Sequence, residues 1–321
     1  MEISRRHFLE TAALGGLGVN ALTAAEVDQR TGMQTRILGR TGARVSVLAF
    51  GAGSRFLSYK DEAKALEVLN KALDMGINYI DTANSYGNGQ SETWVGKVMK
   101  TRRKEVWLAT KLSVRKEDAA LRAVDETLKR LQTDKIDLIH IHSLTNAADL
   151  AAIEAPDGVL KALYKLRDQK VCRAIGVTSH TDPNILKTAL ERHDFDCTQM
   201  ALNAAKVGNV FGKAAEGITG TFEDLALPVA VRKNMGIIAM KVFAQERLVG
   251  KTAPANLIRY VLSLPITACV VGMPQWAHIE ENIRAAKEFK PLPRSEMDRL
   301  NQQMLPLKAS IDAFFANHMD C

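Results

Sequence analysis

Short, strongly apolar runs alternate with longer amphipathic stretches along most of this chain. The runs cover residues 47–51, 77–81, 106–111, 136–142, 173–178, 197–203, 236–240 and 267–271. Each is bounded by turn-forming or charged residues, the pattern of a strand buried on both faces. The stretches between them carry apolar residues at helical spacing. Leu66, Leu69 and Leu73 form one stripe, opened by Asp61 and stopped by Gly76. Trp94, Val95, Val98 and Met99 form the next, with Ser91 as the expected cap. Leu121, Val124, Leu128 and Leu131 form a third. Later helices are expected over 158–169, from Asp182 onward, and over 221–233, 254–263 and 275–288. Asp182-Pro183 joins a capping side chain to a proline at the first helical position. Residues 294–316 read as one further amphipathic helix.

Eight strand–helix units predict an α/β fold, a closed parallel (β/α)8 TIM barrel. The structural alternative is an open doubly wound sheet, which usually carries a G-x-G-x-x-G turn after its first strand. The corresponding turn here is Gly51-Ala52-Gly53-Ser54-Arg55-Phe56, without the third glycine. Ahead of the first strand, 35–38 and 43–46 flank Gly39-Arg40-Thr41-Gly42. That is the signal of a β-hairpin, expected to plug one barrel end. No linker-like break divides residues 33–321, which read as one domain.

Composition adds little to this picture except at the N-terminus. A chain of 321 residues that is 46% hydrophobic and 25% charged suits a globular protein with a sizeable core. Residues 1–25 differ in kind. Ser4-Arg5-Arg6-His7-Phe8-Leu9 is a twin-arginine pattern, and an Ala/Gly/Leu stretch leads to Thr23-Ala24-Ala25, a candidate cleavage site. Together they predict a bacterial twin-arginine export signal, the export machinery as a partner and a periplasmic destination. The apolar stretch is short and broken by glycine, so no stable membrane span is expected.

Arg5 and Arg6 offset Glu2 and Glu10, so the mature chain keeps the net charge of +7. The basic residues are scattered, apart from Lys100-Thr101-Arg102-Arg103-Lys104. That cluster reads as a solvated loop, and no nucleic-acid partner is expected. A mild positive field favours an anionic cofactor. Cys172, Cys197, Cys269 and Cys321 show neither Cys-x-x-Cys nor zinc spacing, and the first three are expected to be buried thiols.

A barrel turns the pattern into chemistry, because active sites collect at the C-terminal ends of the strands. Asp81 ends the second strand, Lys111 the third and His142 the fourth, with Tyr86 in the loop after Asp81. A free phenol, with a pKa of about 10, is too weak an acid at neutral pH. A neighbouring ammonium favours the phenolate, and a carboxylate can hold that ammonium. Such a set moves a proton at a carbonyl oxygen.

The motifs around these residues resemble the aldo-keto reductase family. They are Leu38-Gly39-Arg40-Thr41-Gly42, Asn78-Tyr79-Ile80-Asp81-Thr82-Ala83-Asn84-Ser85-Tyr86-Gly87 and Ala109-Thr110-Lys111. Asp137-Leu138-Ile139-His140-Ile141-His142, Arg173-Ala174-Ile175-Gly176-Val177-Thr178 and Glu280-Glu281-Asn282 follow in order. The resemblance implies an enzyme that interconverts a small-molecule carbonyl (aldehyde, ketone or sugar) and an alcohol by hydride transfer. It implies NADP(H) or NAD(H) as cofactor. It assigns Tyr86 as general acid/base, Lys111 as the group lowering its pKa, Asp81 as the holder of Lys111, and His142 as the group orienting the carbonyl or relaying the proton. On the cofactor it implies Gly51, then Thr178, Ser179 and Gln199 toward the carboxamide. Met240 would pack on the nicotinamide, Lys241 would meet the pyrophosphate, and His278, Glu281 and Asn282 would lie at the adenine end. Four positions depart from the family pattern. Thr178-Ser179 replaces a Ser-Asn pair, Met240 replaces an aromatic, and His278 stands where an arginine usually takes the 2′-phosphate.

Two other readings use the same residues. One is a nicotinamide-binding regulatory protein on the same fold. The other is a metal-dependent hydrolase, since His140-x-His142 has metal-sharing spacing and His180 could add a ligand. Against the latter, the eighth strand ends in Val271-Gly272 and offers no terminal carboxylate. The glycine-rich segment 208–220 is either a lid or a plain surface loop.

Overall fold

The computed structural model describes residues 25–208 and 220–315. The expected export signal, nearly all of the 208–220 segment and Cys321 lie outside the described residues.

Three short strands come first: β1 (Glu26–Val27), β2 (Gln34–Ile37) and β3 (Arg44–Ser46), paired antiparallel. The tip between β2 and β3 requires glycine. Gly39 has φ +49, and a Cβ there would lie 2.2 Å from the carbonyl carbon of Met235. Eight parallel strands follow: β4 (Leu48–Gly51), β5 (Tyr79–Asp81), β6 (Trp107–Leu112), β7 (Ile136–Ile141), β8 (Cys172–Ser179), β9 (Cys197–Ala201), β10 (Gly236–Met240) and β11 (Ala268–Val271). Pairing of β11 with β4 closes the barrel. The expected (β/α)8 fold with its N-terminal hairpin is the fold observed.

Helices cover the outside: α1 (Ser54–Leu57), α2 (Glu62–Asp74), α3 (Gln90–Arg102), α4 (Glu117–Leu131), α5 (Ala147–Glu154) and α6 (Val159–Asp168). α7 (Pro183–Arg192), α8 (Ala226–Arg232), α9 (Pro254–Leu262) and α10 (Trp276–Lys287) complete the ring. The Asp61 carboxylate caps α2 through the Ala63 and Lys64 N–H groups, and Asp182 caps α7 through those of Asn184 and Ile185. Ser91 is not a cap. α3 starts one residue earlier, behind Gly89, and the Ser91 hydroxyl donates to Ala52 O at 2.5 Å beside the Thr82 hydroxyl at 2.7 Å. The C-terminal helix is also divided. α11 (Arg294–Met304) and α12 (Lys308–Phe315) flank a 3-10 turn, Leu305–Leu307, because Pro306 lacks the N–H that would continue the ladder.

The basic cluster is the end of α3 rather than a solvated loop. Arg102 pairs with Asp74 and Glu105, each at 2.7 Å, and Arg103 pairs with the buried Asp137 at 2.7 Å. Cys172, Cys197 and Cys269 are free and buried, and burial pushes the Cys172 and Cys269 thiols up to about 12. Among the described residues, no helix is long and apolar enough to cross a membrane.

The barrel interior is polarised along its axis. At the N-terminal end, Ala49, Tyr79, Trp107 and Leu138 pack with Leu38 and Val45 from the hairpin. The plug is anchored by Arg36, which is buried and donates to Ile266 O and Leu262 O at 2.8 and 3.0 Å. Burial lowers this guanidinium to about 10, while its plane rests on Phe289. At the opposite end, among the described residues, no such plug is seen and the strand ends carry polar groups.

Candidate active site

Asp81 on β5 pairs with Ala109 on β6, and strand alternation turns Lys111, two residues further along, to the same face. Both side chains are almost wholly buried, at 2% and 1% exposure. Lys111 Nζ lies 2.6 Å from Asp81 Oδ2, 2.8 Å from Thr82 O and 3.2 Å from the Tyr86 hydroxyl. The ammonium thus has an acceptor for each of its three protons. Burial pushes the Asp81 carboxyl up, against the pull of Lys111 and of Gln199. The same burial opposes the Lys111 charge, but Asp81 and Tyr86 outweigh it and hold the ammonium above its ordinary range. A 2.6 Å contact with a second acceptor at 2.8 Å is the geometry of a charged pair.

Tyr86 reaches this pair from the turn after β5. Gly53, at the end of β4, passes close beside it, and a Cβ there would lie 3.4 Å from the phenol ring. His142 follows β7 directly. Its ring stands at 79° to that of Tyr86, with centroids 5.8 Å apart. His142 Nδ1 lies 3.3 Å from Ser113 Oγ and 3.5 Å from Ser85 Oγ.

These four residues line one cavity of about 870 Å³ at the C-terminal ends of the strands. Gly51, Gln199, Met240, Lys241, His278, Glu281 and Asn282 line it as well. Thr178 and Ser179 do not. The Thr178 hydroxyl accepts from Ser143 N at 2.8 Å, and Ser179 Oγ donates to Leu144 O at 2.7 Å. Both hydroxyls fasten the loop after β7.

Other residues that line the cavity were not among the catalytic or cofactor residues expected from the sequence. Arg55 and Glu246 face each other across the mouth at 3.1 Å, and His180 lines the wall. Arg55 sat in the glycine turn after β4, a position that could have marked it. Glu246 carries no local signal.

His140 points into the barrel rather than the cavity. Its ring occupies the space left by Gly176, where a Cβ would lie 2.4 Å from His140 Nδ1. Burial first, and then Lys111, push this imidazole well below its usual range, so it is neutral. His142 lies at the cavity instead, and His180 Nε2 meets Ser143 Oγ at 3.0 Å. Among the described residues, no three His, Cys, Asp or Glu side chains gather as a metal set would.

The family model for the Aldo/keto reductase family matches residues 47–256. The chain belongs to this family. Similar proteins include L-galactose dehydrogenase of Arabidopsis thaliana, 27% identical over 82% of this chain and 91% of that protein. A probable voltage-gated potassium channel subunit beta of the same plant is 31% identical over 84% of this chain and 96% of that protein. Among solved structures, the holo form of aldo-keto reductase AKR11C1 from Bacillus halodurans is similar, with a TM-score of 0.70 at 25% identity. It covers 84% of this chain and 96% of that one. This aldo/keto reductase is therefore an oxidoreductase on the barrel that its strand pattern predicts.

Proposed function

We propose that the chain reduces a carbonyl, and oxidises the matching alcohol, with a nicotinamide dinucleotide and with Tyr86 as the general acid/base. The observation that carries this reading is the buried Lys111 ammonium, held by Asp81 at 2.6 Å and touching the Tyr86 hydroxyl at 3.2 Å.

The cavity fits a dinucleotide. Gln199 Oε1 is buried with no hydrogen-bond partner among the described residues, an acceptor suited to a carboxamide N–H. Gly51 and Gly53 leave the wall bare where side chains would narrow it. At the far end α10 begins behind Gln275, which makes no side-chain cap, so the first N–H groups of the helix suit a phosphate. Met240 and Lys241 would lie along the nicotinamide and pyrophosphate, with His278, Glu281 and Asn282 at the adenosine. A bound nicotinamide would supply or accept the hydride.

The remaining work falls to the chain. His142 orients the carbonyl oxygen toward Tyr86. Tyr86 gives its proton to that oxygen as negative charge develops there. Lys111 stabilises the resulting phenolate at short range, and Asp81 keeps Lys111 charged and in place. In the oxidation direction the same phenolate takes the alcohol proton. The Arabidopsis dehydrogenase named above acts on a sugar, which makes sugars the first class to test.

Likeness to the channel subunit keeps the regulatory alternative in view, but a complete acid–base set favours turnover. A screen of aldehydes, ketones and sugars with NADPH and NADH tests the reading. With any active substrate, Tyr86→Phe should lose at least ~10²-fold in turnover while binding cofactor normally. Near-normal turnover in that variant would sink the assignment of Tyr86. We further propose export by the twin-arginine route, which carries folded proteins. Fractionation should find the wild type in the periplasm and the Arg5→Lys/Arg6→Lys double variant in the cytoplasm. A wholly cytoplasmic wild type would refute it.

A further inference from the structure

His142 sits on a loop that is fastened from both sides, and one of the fasteners is an ion pair far from it in sequence. Arg115 lies just beyond β6. Its Nη2 donates to His142 O at 2.7 Å and to Ser143 O at 3.3 Å. Its Nη1 donates to Ser113 O at 3.2 Å, on the segment whose hydroxyl meets the His142 ring. The guanidinium is itself held in a fork by Asp149, at 2.6 Å through Nε and 3.1 Å through Nη2. Asp149 also accepts from Thr145 N at 3.0 Å, so it ties down the far end of the same loop. Both charged groups are largely buried, at 21% and 15% exposure.

The β8 side completes the clasp through Thr178 and Ser179, the two hydroxyls described above. Between the two sets of bonds lies Ser143, at φ +58. A non-glycine residue in that region costs energy and persists where the surroundings impose it. The left-handed residue comes directly after His142, so whatever holds the turn also fixes the direction of the imidazole. α5, which no sequence signal predicted, acquires a purpose here. It carries Asp149 in its first turn, with Asn146 capping the Asp149 N–H.

We propose that the Arg115–Asp149 pair is a positioning device for His142, setting the angle at which the imidazole meets the substrate carbonyl. This rests on the carbonyl-reductase reading above. Arg115 touches no reacting atom. It acts by gripping the peptides on both sides of the ring. Lysine cannot replace it, because one ammonium cannot serve Asp149, His142 O and Ser113 O in a planar fork.

The test is a double-mutant cycle on the full chain with an active carbonyl substrate. Arg115→Met should lower kcat by roughly ten- to a hundredfold, the range seen when a reacting group is misplaced by about an ångström. Substrate KM and cofactor affinity should move much less. Arg115→Lys should fall between the two. In a His142→Gln background, Arg115→Met should cost less than about threefold, because the group it positions is gone. Equal losses in both backgrounds would overturn the proposal, as would a fall in cofactor affinity matching the fall in kcat. If Arg115→Met folds poorly, Asp149→Asn keeps the shape, and the same cycle applies to it. Should no carbonyl turn over, the functional reading fails by itself. The clamp is then read from the His142 ring resonances, which should shift in Arg115→Met. Unchanged ring resonances would refute it independently of activity.

Discussion

The two walls of the cavity are built on opposite plans. The reactive wall, from β5 to β8, is dry and cross-linked. Asp81, Lys111 and Thr82 bond one another, and the loop after β7 is clasped from two strands. The opposite wall, after β10 and β11, carries backbone strain. Lys241, Ala244, Gln245 and Glu246 all have positive φ, and none is glycine. Its polar contact across the mouth, Arg55 with Glu246, is 38% and 49% exposed. The lesson is a division of labour. The proton transfer proposed above depends on distances of a few tenths of an ångström, which buried bonds can hold. The cofactor proposed above would lie along the strained wall.

The comparison can be broken at its strongest point first. Lys111→Met should remove nearly all turnover and also destabilise the fold by about 3–5 kcal/mol, since Asp81 is left buried with no cation. The sign of the pH dependence follows from burial, which raises the Asp81 carboxyl in the folded state. The folded variant then holds a proton that the unfolded chain releases, so its deficit should shrink as pH falls. Denaturant titration at pH 5 and pH 8 measures this. An equal deficit at both would mean that Asp81 is not the group left unpaired.

A smaller effect is expected at the adenosine end. His278→Arg should raise affinity for NADP by about 1–3 kcal/mol over NAD, the scale of a charge-assisted hydrogen bond. Fluorescence titration of both cofactors reads it. A wild type that already prefers NADP strongly would transfer the phosphate contact to another residue.

The smallest effect should come from Arg55→Ala. Exposed ion pairs contribute about 0.2–1 kcal/mol, so cofactor affinity should change less than about fivefold. A much larger loss would show that this wall is pinned as firmly as the other, and the contrast would fail.

The barrel was legible because parallel strands buried on both faces leave continuous apolar runs. Asp81, Lys111 and His142 stood out because each is a charged or polar end to such a run. What stayed hidden depends on partners distant in sequence. Ser91 has the look of a cap, yet its hydroxyl bonds Ala52 O and Thr82 across strands. The bonds from the Thr178 and Ser179 hydroxyls to backbone atoms of the loop after β7 likewise carry no local sequence signal. Arg115 and Asp149 are separated by 34 residues, and neither lies on a motif. α5 is too alanine-rich to show a clear stripe, and Pro306 was passed over inside an otherwise good helical pattern.

The hairpin plug has a consequence for the order of events in folding. Arg36 precedes every barrel strand, yet its carbonyl acceptors lie 226 and 230 residues later. Gln34 waits still longer, for Lys287 O, 253 residues on. Contacts this remote are closed late, after local helices and neighbouring strands have formed. Until the end of α9 and the turn at Ile266 exist, the guanidinium lacks both of its carbonyl acceptors. Seating Arg36 therefore requires the chain as far as Ile266, just ahead of the last strand, and a chain cut before Leu262 lacks both acceptors.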